Sequence, residues 1–191
     1  MTTASRYAQV LEVAPVSGPN SDAASKTLRA LFDMHAGYVW NALRRLGVPT
    51  PDLEDVTHEV FLQVHARLAE YDPSRPVRPW LFAFAFRLAS VTRRRAYRRR
   101  ETSGDPDTSE HPGALPDEHL VREERRRLVL GALQGIALER RAVFVLYELD
   151  ETPMADIAAA LGIPVNTAYS RLRAARAEFA AAVKRLEAKA S

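Results

Sequence analysis

Apolar residues recur every three or four positions along most of the chain, and polar or proline-containing breaks divide them into helix-length segments. Leu28, Leu31, Phe32, His35, Val39, Ala42 or Leu43, and Leu46 share one face. This predicts a helix over Lys26–Leu46, ended by Gly47 and Pro49, with His35 as a packed, hydrogen-bonded histidine. Val56, Val60, Val64 and Leu68 line a second helix over Pro51–Ala69. Tyr71–Pro79 (Y-D-P-S-R-P-V-R-P) reads as a loop stiffened by three prolines and made basic by Arg75 and Arg78. Trp80–Arg100 is a third helix whose first half is apolar nearly all round, as expected of a helix among other helices.

Beyond Arg100 the pattern stops, and it resumes in Val121–Gly135 and Ala137–Leu149. Thr152–Phe179 then reads as two short helices around a tight turn. Met154, Ile157, Ala158 and Leu161 mark the first, and Ala168, Leu172, Ala175 and Phe179 the second. Gly162 supplies the corner, and Pro164 presets the entry to the second helix, which extends toward Leu186. The expected fold is all-α. Two small helical domains, 25–100 and 121–191, are joined by a flexible acidic linker over 101–120. A flexible tail, 1–24, precedes them, with a short ordered piece at Tyr7–Val13.

Charge sharpens this division. The 191 residues carry a net charge of only +3, but it is segregated. Arg93, Arg94, Arg95, Arg98, Arg99 and Arg100 surround Tyr97, whereas the linker holds Asp105, Asp107, Glu110, Asp117 and Glu118 with no Lys or Arg. Six arginines in eight residues repel one another and favour a polyanion. The absence of cysteine excludes disulfides, thiolate metal sites and a cysteine nucleophile. No apolar run approaches a membrane span and the N-terminus has no signal pattern, so a cytoplasmic chain with no membrane insertion is expected.

Catalytic chemistry is not expected. His58-Glu59 is followed by His65, seven residues after the first histidine, which does not match the H-E-x-x-H zinc motif. The acids from Asp52 to Glu59 fall in one helix rather than in a magnesium-holding cluster. No metal, cofactor or enzymatic activity is therefore assigned. The acids have two readings of equal weight: capping and solvation at a helix N-terminus, or a docking face for a basic partner.

The second helix of the Thr152–Phe179 pair offers clearer chemistry. Asn166, Ser170 and Arg173 fall within one arc away from its apolar stripe. Tyr169 and Arg176 border that arc on one side, Thr167 and Arg171 on the other. Amide, hydroxyl and guanidinium groups so placed can donate to base edges and phosphates in a major groove, the work of a recognition helix in a helix-turn-helix.

Two helical modules with nucleic-acid faces and an acidic linker resemble a bacterial RNA polymerase sigma factor of the sigma-70 family. The resemblance is to the extracytoplasmic-function class, which keeps only regions 2 and 4. D-L-E-D-V-T-H-E-V-F (Asp52–Phe61) is similar to the region 2 helix that docks on the polymerase clamp. R-P-W-L-F-A-F-A-F-R-L-A (Arg78–Ala89) resembles the stretch beside the −10 reading loop. I-A-A-A-L-G-I-P-V-N-T-A-Y-S-R-L-R-A-A-R (Ile157–Arg176) resembles the region 4 helix-turn-helix.

The resemblance implies a promoter-specificity subunit that binds core RNA polymerase, at its clamp and flap, and promoter DNA. It implies an anti-sigma factor as a further partner. Polymerase binding would fall to Asp52, Asp55, His58 and Glu59. Contacts to the −10 element and the backbone would fall to Arg75, Arg78, Trp80, Arg87, Arg94, Arg95 and Arg98. The −35 element would be read by Asn166, Thr167, Tyr169, Ser170, Arg171, Arg173 and Arg176. His58 stands where the family usually has Gln, Ala83 and Arg87 where it often has Arg and Asn, and Tyr169 and Ala174 at positions often basic. A self-sufficient helix-turn-helix repressor or activator is the alternative, but no sensor pocket or dimerisation surface is evident.

Overall fold

A computed structural model describes residues 21–103 and 117–190. The piece expected at Tyr7–Val13 and the acidic stretch 104–116 lie outside the described residues. Helix α1 (Ser21–Leu46) begins five residues earlier than its apolar pattern announces. It ends at Gly47, whose φ of +89° is a left-handed turn that a residue with a Cβ would resist.

The second segment is broken up. A 3₁₀ turn at Thr50–Asp52 leads into α2 (Leu53–Ala66), and a further 3₁₀ turn covers Leu68–Glu70. The break is at Arg67, whose φ of −119° leaves the helical range. Helix α3 (Val77–Ser103) starts three residues before the expected Trp80. Pro79 therefore sits in the first turn, where the missing N–H needs no partner, and Arg78 belongs to the helix rather than to the loop.

Helix α4 (Asp117–Gln134) precedes α5 (Leu138–Phe144), which passes into one turn of π-helix at Val145–Leu149. The Asp150 amide donates to the Val145 carbonyl at 3.1 Å, and Glu151, at φ +51°, then turns the chain. Helices α6 (Met154–Leu161) and α7 (Val165–Ala190) complete the fold.

Helices α1, α2 and α3 pack on one another, while α4, α5 and α6 each pack on α7. The two bundles also meet: α3 packs on α6, and α1 on α4 and α5. Their apolar interiors form one continuous core, from Leu31, Val39, Val60, Leu81 and Phe82 to Leu133, Ile136, Val143, Ile157 and Leu172. His35 is only partly buried, and its enclosed Nδ1 makes no hydrogen bond, contrary to the expected hydrogen-bonded histidine.

Candidate functional site

The helix-turn-helix is built by local rules. Gly162 closes α6 in the left-handed conformation (φ +64°), and the Ile163 amide donates back to the Ala158 carbonyl at 3.0 Å. The Ala168 amide donates to the Pro164 carbonyl at 3.1 Å, starting α7. Ala168, Leu172 and Ala175 are buried, and Phe179 stacks on Phe144 with ring centroids 4.9 Å apart. This burial turns Asn166, Tyr169, Ser170 and Arg173 outward, while Thr167 and Arg171 are half-buried at the edge.

Two of these side chains have partners within the protein. The Ser170 hydroxyl donates to the Thr167 carbonyl at 2.9 Å. Arg176 Nε donates to Glu148 Oε1 at 2.6 Å, and its guanidinium lies 5.6 Å from the Tyr147 ring centre. Arg176 is thus tethered to the π turn, not swinging at the flank of the helix. Glu148 escaped the sequence reading because nothing local links it to a residue 28 positions later.

The loop before α3 is held in shape. The Ser74 amide and hydroxyl both donate to Asp72 Oδ1, at 2.9 and 2.7 Å, and hold the Asp72 carboxyl below the usual carboxylate range. The Tyr71 hydroxyl donates to the Arg75 carbonyl at 3.0 Å. The Tyr71 ring lies 4.8 Å from that of Trp80, which meets Phe84 edge-on at 5.0 Å. Trp80 is half-buried, Arg75 is exposed, and the Arg78 guanidinium lies 5.4 Å from the Tyr38 ring centre. A loop already ordered offers its groups to a ligand at reduced entropic cost.

Along α3 helical spacing already puts Arg94, Arg95 and Arg98 in one patch, and the structure adds Arg87 to it. Arg87, Arg94 and Arg98 fall on one helical line, with Arg95 beside it, and all four are exposed. Arg87 also covers the Phe84 ring at 4.7 Å, and Arg94 is steadied by the Ser90 carbonyl and hydroxyl at 3.2 and 3.1 Å. Tyr97, 65% exposed, stands among them. Arg93 leaves the run: its guanidinium turns inward and donates to the Leu46 carbonyl at 2.8 Å.

On α2, Asp55 and Glu59 are exposed and His58 is half-buried, as is Asp52 in the 3₁₀ turn just before it. Glu59 accepts from Gln63 at 3.2 Å, and His58 lies parallel to the Phe32 ring at 6.5 Å. Leu62, 45% exposed, falls on the same outer face as Asp55 and Glu59. Its signal in the sequence is that it is out of phase with the Val56–Val60–Val64 line. An exposed apolar side chain next to a carboxylate suits a protein partner better than solvent.

Among the described residues no group of His, Asp and Glu stands together to hold a metal, and no helix is long and apolar enough to cross a membrane.

Comparison with known proteins matches both halves of the chain. Residues 31–102 match the model for Sigma-70 region 2, and residues 126–179 that for Sigma-70, region 4. The chain is 34% identical over 162 residues to the ECF RNA polymerase sigma factor SigL of Mycobacterium tuberculosis, covering 84% of this chain and 90% of that one. Among solved structures it resembles CnrH in complex with the cytosolic domain of CnrY. The TM-score is 0.62 at 25% identity, over 86% of this chain and 94% of that one. It shares its fold with the sigma factor RpoE of Bartonella quintana, with a TM-score of 0.63 at 18% identity over 83% and 98% of the two chains. With both regions matched in order and a curated relative covered nearly end to end, the chain belongs to the sigma-70 family, among its extracytoplasmic-function RNA polymerase sigma factors.

Proposed function

We propose that this sigma factor divides promoter recognition between its two bundles. Residues 25–100 dock on the polymerase clamp and open the −10 element, residues 121–191 read the −35 element, and the acidic segment between them is the spacer. The observation that carries this reading is that one chain presents three separate faces. They are an acidic face on α2 with an exposed leucine at its C-terminal end, a basic stripe on α3, and an amide–hydroxyl–guanidinium arc on α7.

The assignments follow the exposure of each group. Asp55 and Glu59, with Leu62 one turn beyond Glu59, contact polymerase, and Asp52 and His58 shape the edge of that contact. The braced loop carrying Arg75, with Arg78 and Trp80 at the start of α3, holds an unstacked −10 base. Arg87, Arg94, Arg95 and Arg98 hold phosphates. Asn166, Tyr169, Ser170 and Arg173 read bases in the −35 major groove, with Thr167, Arg171 and Arg176 at its flanks.

The factor works in the cytoplasm without a catalytic step of its own, and a protein inhibitor of the anti-sigma type holds it in reserve. The structural relative CnrH, captured with the cytosolic domain of CnrY, supports that last point. Run-off transcription tests the whole reading: core polymerase supplemented with the purified chain is expected to initiate at a promoter that core alone ignores. Failure to initiate on any member of a promoter library would reject it.

A further inference from the structure

The first turns of α7 leave two apolar side chains in solvent, Val165 at 42% exposure and Tyr169 at 52%. Val165, Ala168 and Leu172 follow the spacing of a buried stripe, yet only Ala168 and Leu172 are buried. The stripe runs out at the tip of the helix, and Val165 is left outside the core. Tyr169 follows it by four residues and Arg173 follows Tyr169 by four more. Each step moves about 6 Å along the helix and about 40° around it. The three side chains therefore form one line that winds from the helix tip into the arc of Asn166, Ser170 and Arg173.

Two further observations point this tip at nucleic acid. The first turn of α7 holds no acidic residue, so nothing there offsets the positive end of the helix dipole or claims its unpaired N–H groups. The turn before it is uncrowded: a Cβ placed at Gly162 would meet nothing within 4 Å, and Pro164 is exposed. A polyanion can approach this end without meeting a carboxylate or a wall of side chains. A protein partner would need the apolar pair to continue into a wider apolar surface. Here the pair passes instead into amide, hydroxyl and guanidinium groups.

Those polar groups read hydrogen-bonding edges and are blind to one feature of the major groove. Thymine alone among the four bases presents a methyl group there, and an apolar side chain is what recognises it. Val165 and Tyr169 are hydrated in the free protein, as is that methyl in free DNA, and contact removes both from water. We propose that Val165 and Tyr169 together take the 5-methyl group of a thymine in the −35 element, which makes Val165 a specificity residue of α7. This role rests on α7 being the helix that enters the −35 major groove.

The test removes the methyl from the DNA and its partner from the protein. Holoenzyme assembled from core polymerase and the full chain is used to select a promoter from a library randomised at −35. Each thymine of the selected element, on either strand, is then replaced singly by deoxyuridine, which keeps every pairing group and lacks only the methyl. Wild-type holoenzyme is expected to bind one of these substituted promoters about 4-fold more weakly, the worth of burying one methyl. Val165→Ala and Tyr169→Ser should each reduce that thymine-over-uracil ratio to less than about 2-fold at the same position. Arg173→Ala should keep the ratio while losing preference at another base pair. Should Val165→Ala lose helix content, Val165→Thr, which keeps the branched shape and exchanges one methyl for a hydroxyl, carries the same ratio. A wild-type holoenzyme that initiates yet ignores every deoxyuridine would overturn the inference and leave the sigma function standing. So would a selected −35 element without an A·T pair, or a ratio that persists in both Val165→Ala and Tyr169→Ser. A chain that supports no initiation on any library member would overturn the functional reading itself, and this role with it.

Discussion

The guanidinium of Arg141 donates to the main-chain carbonyl of Leu46, 95 residues earlier in the chain, at 2.9 Å. The contact ties the end of α1 to the start of α5 without any ion pair. Burial, and Arg93 nearby, lower the Arg141 pKa to about 9, so the group stays cationic at neutral pH. Carbonyl oxygens, not a carboxylate, carry that buried charge.

Arg141→Met should therefore be costly. It preserves much of the side-chain volume but takes a donor from the Gln134 and Ile136 carbonyls and leaves the Leu46 carbonyl to Arg93 alone. The expected loss is about 3 kcal/mol or more in denaturant unfolding, with Arg141→Lys intermediate because a point charge cannot serve a fork of acceptors. A loss under about 1 kcal/mol for the Met variant would mean that water replaces the guanidinium.

On the recognition helix, Arg173→Ala is expected to change which −35 sequences the holoenzyme selects, at a cost of about 1–3 kcal/mol at the affected base pair. Arg176→Ala should instead lower activity evenly across sequences, because Glu148 and Tyr147 hold that guanidinium at the flank. Transcription from a randomised −35 library separates the two. If Arg173→Ala leaves base preference intact, the reading arc lies elsewhere on α7.

Replacing Arg94, Arg95 and Arg98 together with Ala should weaken promoter binding and flatten its salt dependence. The flattening is expected to be up to about 0.9 in log–log slope for each lost duplex phosphate contact. Base preference at −10 should hardly move, since these groups fall on one exposed stripe beyond the loop. Equal slopes for wild type and variant across a salt series would remove the stripe from the DNA interface.

For polymerase docking, reversing the charge of Asp55 and Glu59 to Lys should reduce binding to core enzyme with helix content unchanged. Leu62→Ser should reduce it further, because an exposed apolar side chain at the edge of a charged face adds apolar area to an interface. A pull-down in which the triple variant binds as well as wild type would reject the assignment.

His35 gives stability a pH dependence. Its pKa is lowered, first by burial and then by the nearby Arg78. The folded protein therefore favours the neutral ring, and the unfolded chain binds the proton more readily. Stability from this group is complete above the ordinary histidine value of about 6.5 and is lost as pH falls from there toward the folded value. His35→Gln should flatten unfolding free energy below about pH 6.5, which equilibrium denaturation measures.

Much of this architecture was legible along the chain because helices obey local rules. The 3.6-residue stripe marked every helix, Gly162 and Pro164 marked the turn, and the outward arc of α7 followed from the position of Ala168, Leu172 and Ala175. Helix ends were less legible. Val77 and Arg67 depend on how a first turn tolerates Pro79 and on where φ leaves the helical range, and apolar spacing does not encode either. Periodicity places a side chain on a face but does not say what meets that face. So Arg93 counted as one arginine of six until folding turned it onto Leu46, and Arg176 counted as a free flank until Glu148 arrived from the π turn. Asp150 and Tyr38, which share a hydrogen bond, carried no signal at all, and Arg141 none of its hold on Leu46, since those partners lie roughly a hundred residues away. Composition and spacing determined the helices and the chemistry of their faces. Only the tertiary structure decided which faces are spent on each other, because burial and long-range hydrogen bonding are properties of pairs that the linear order does not bring together.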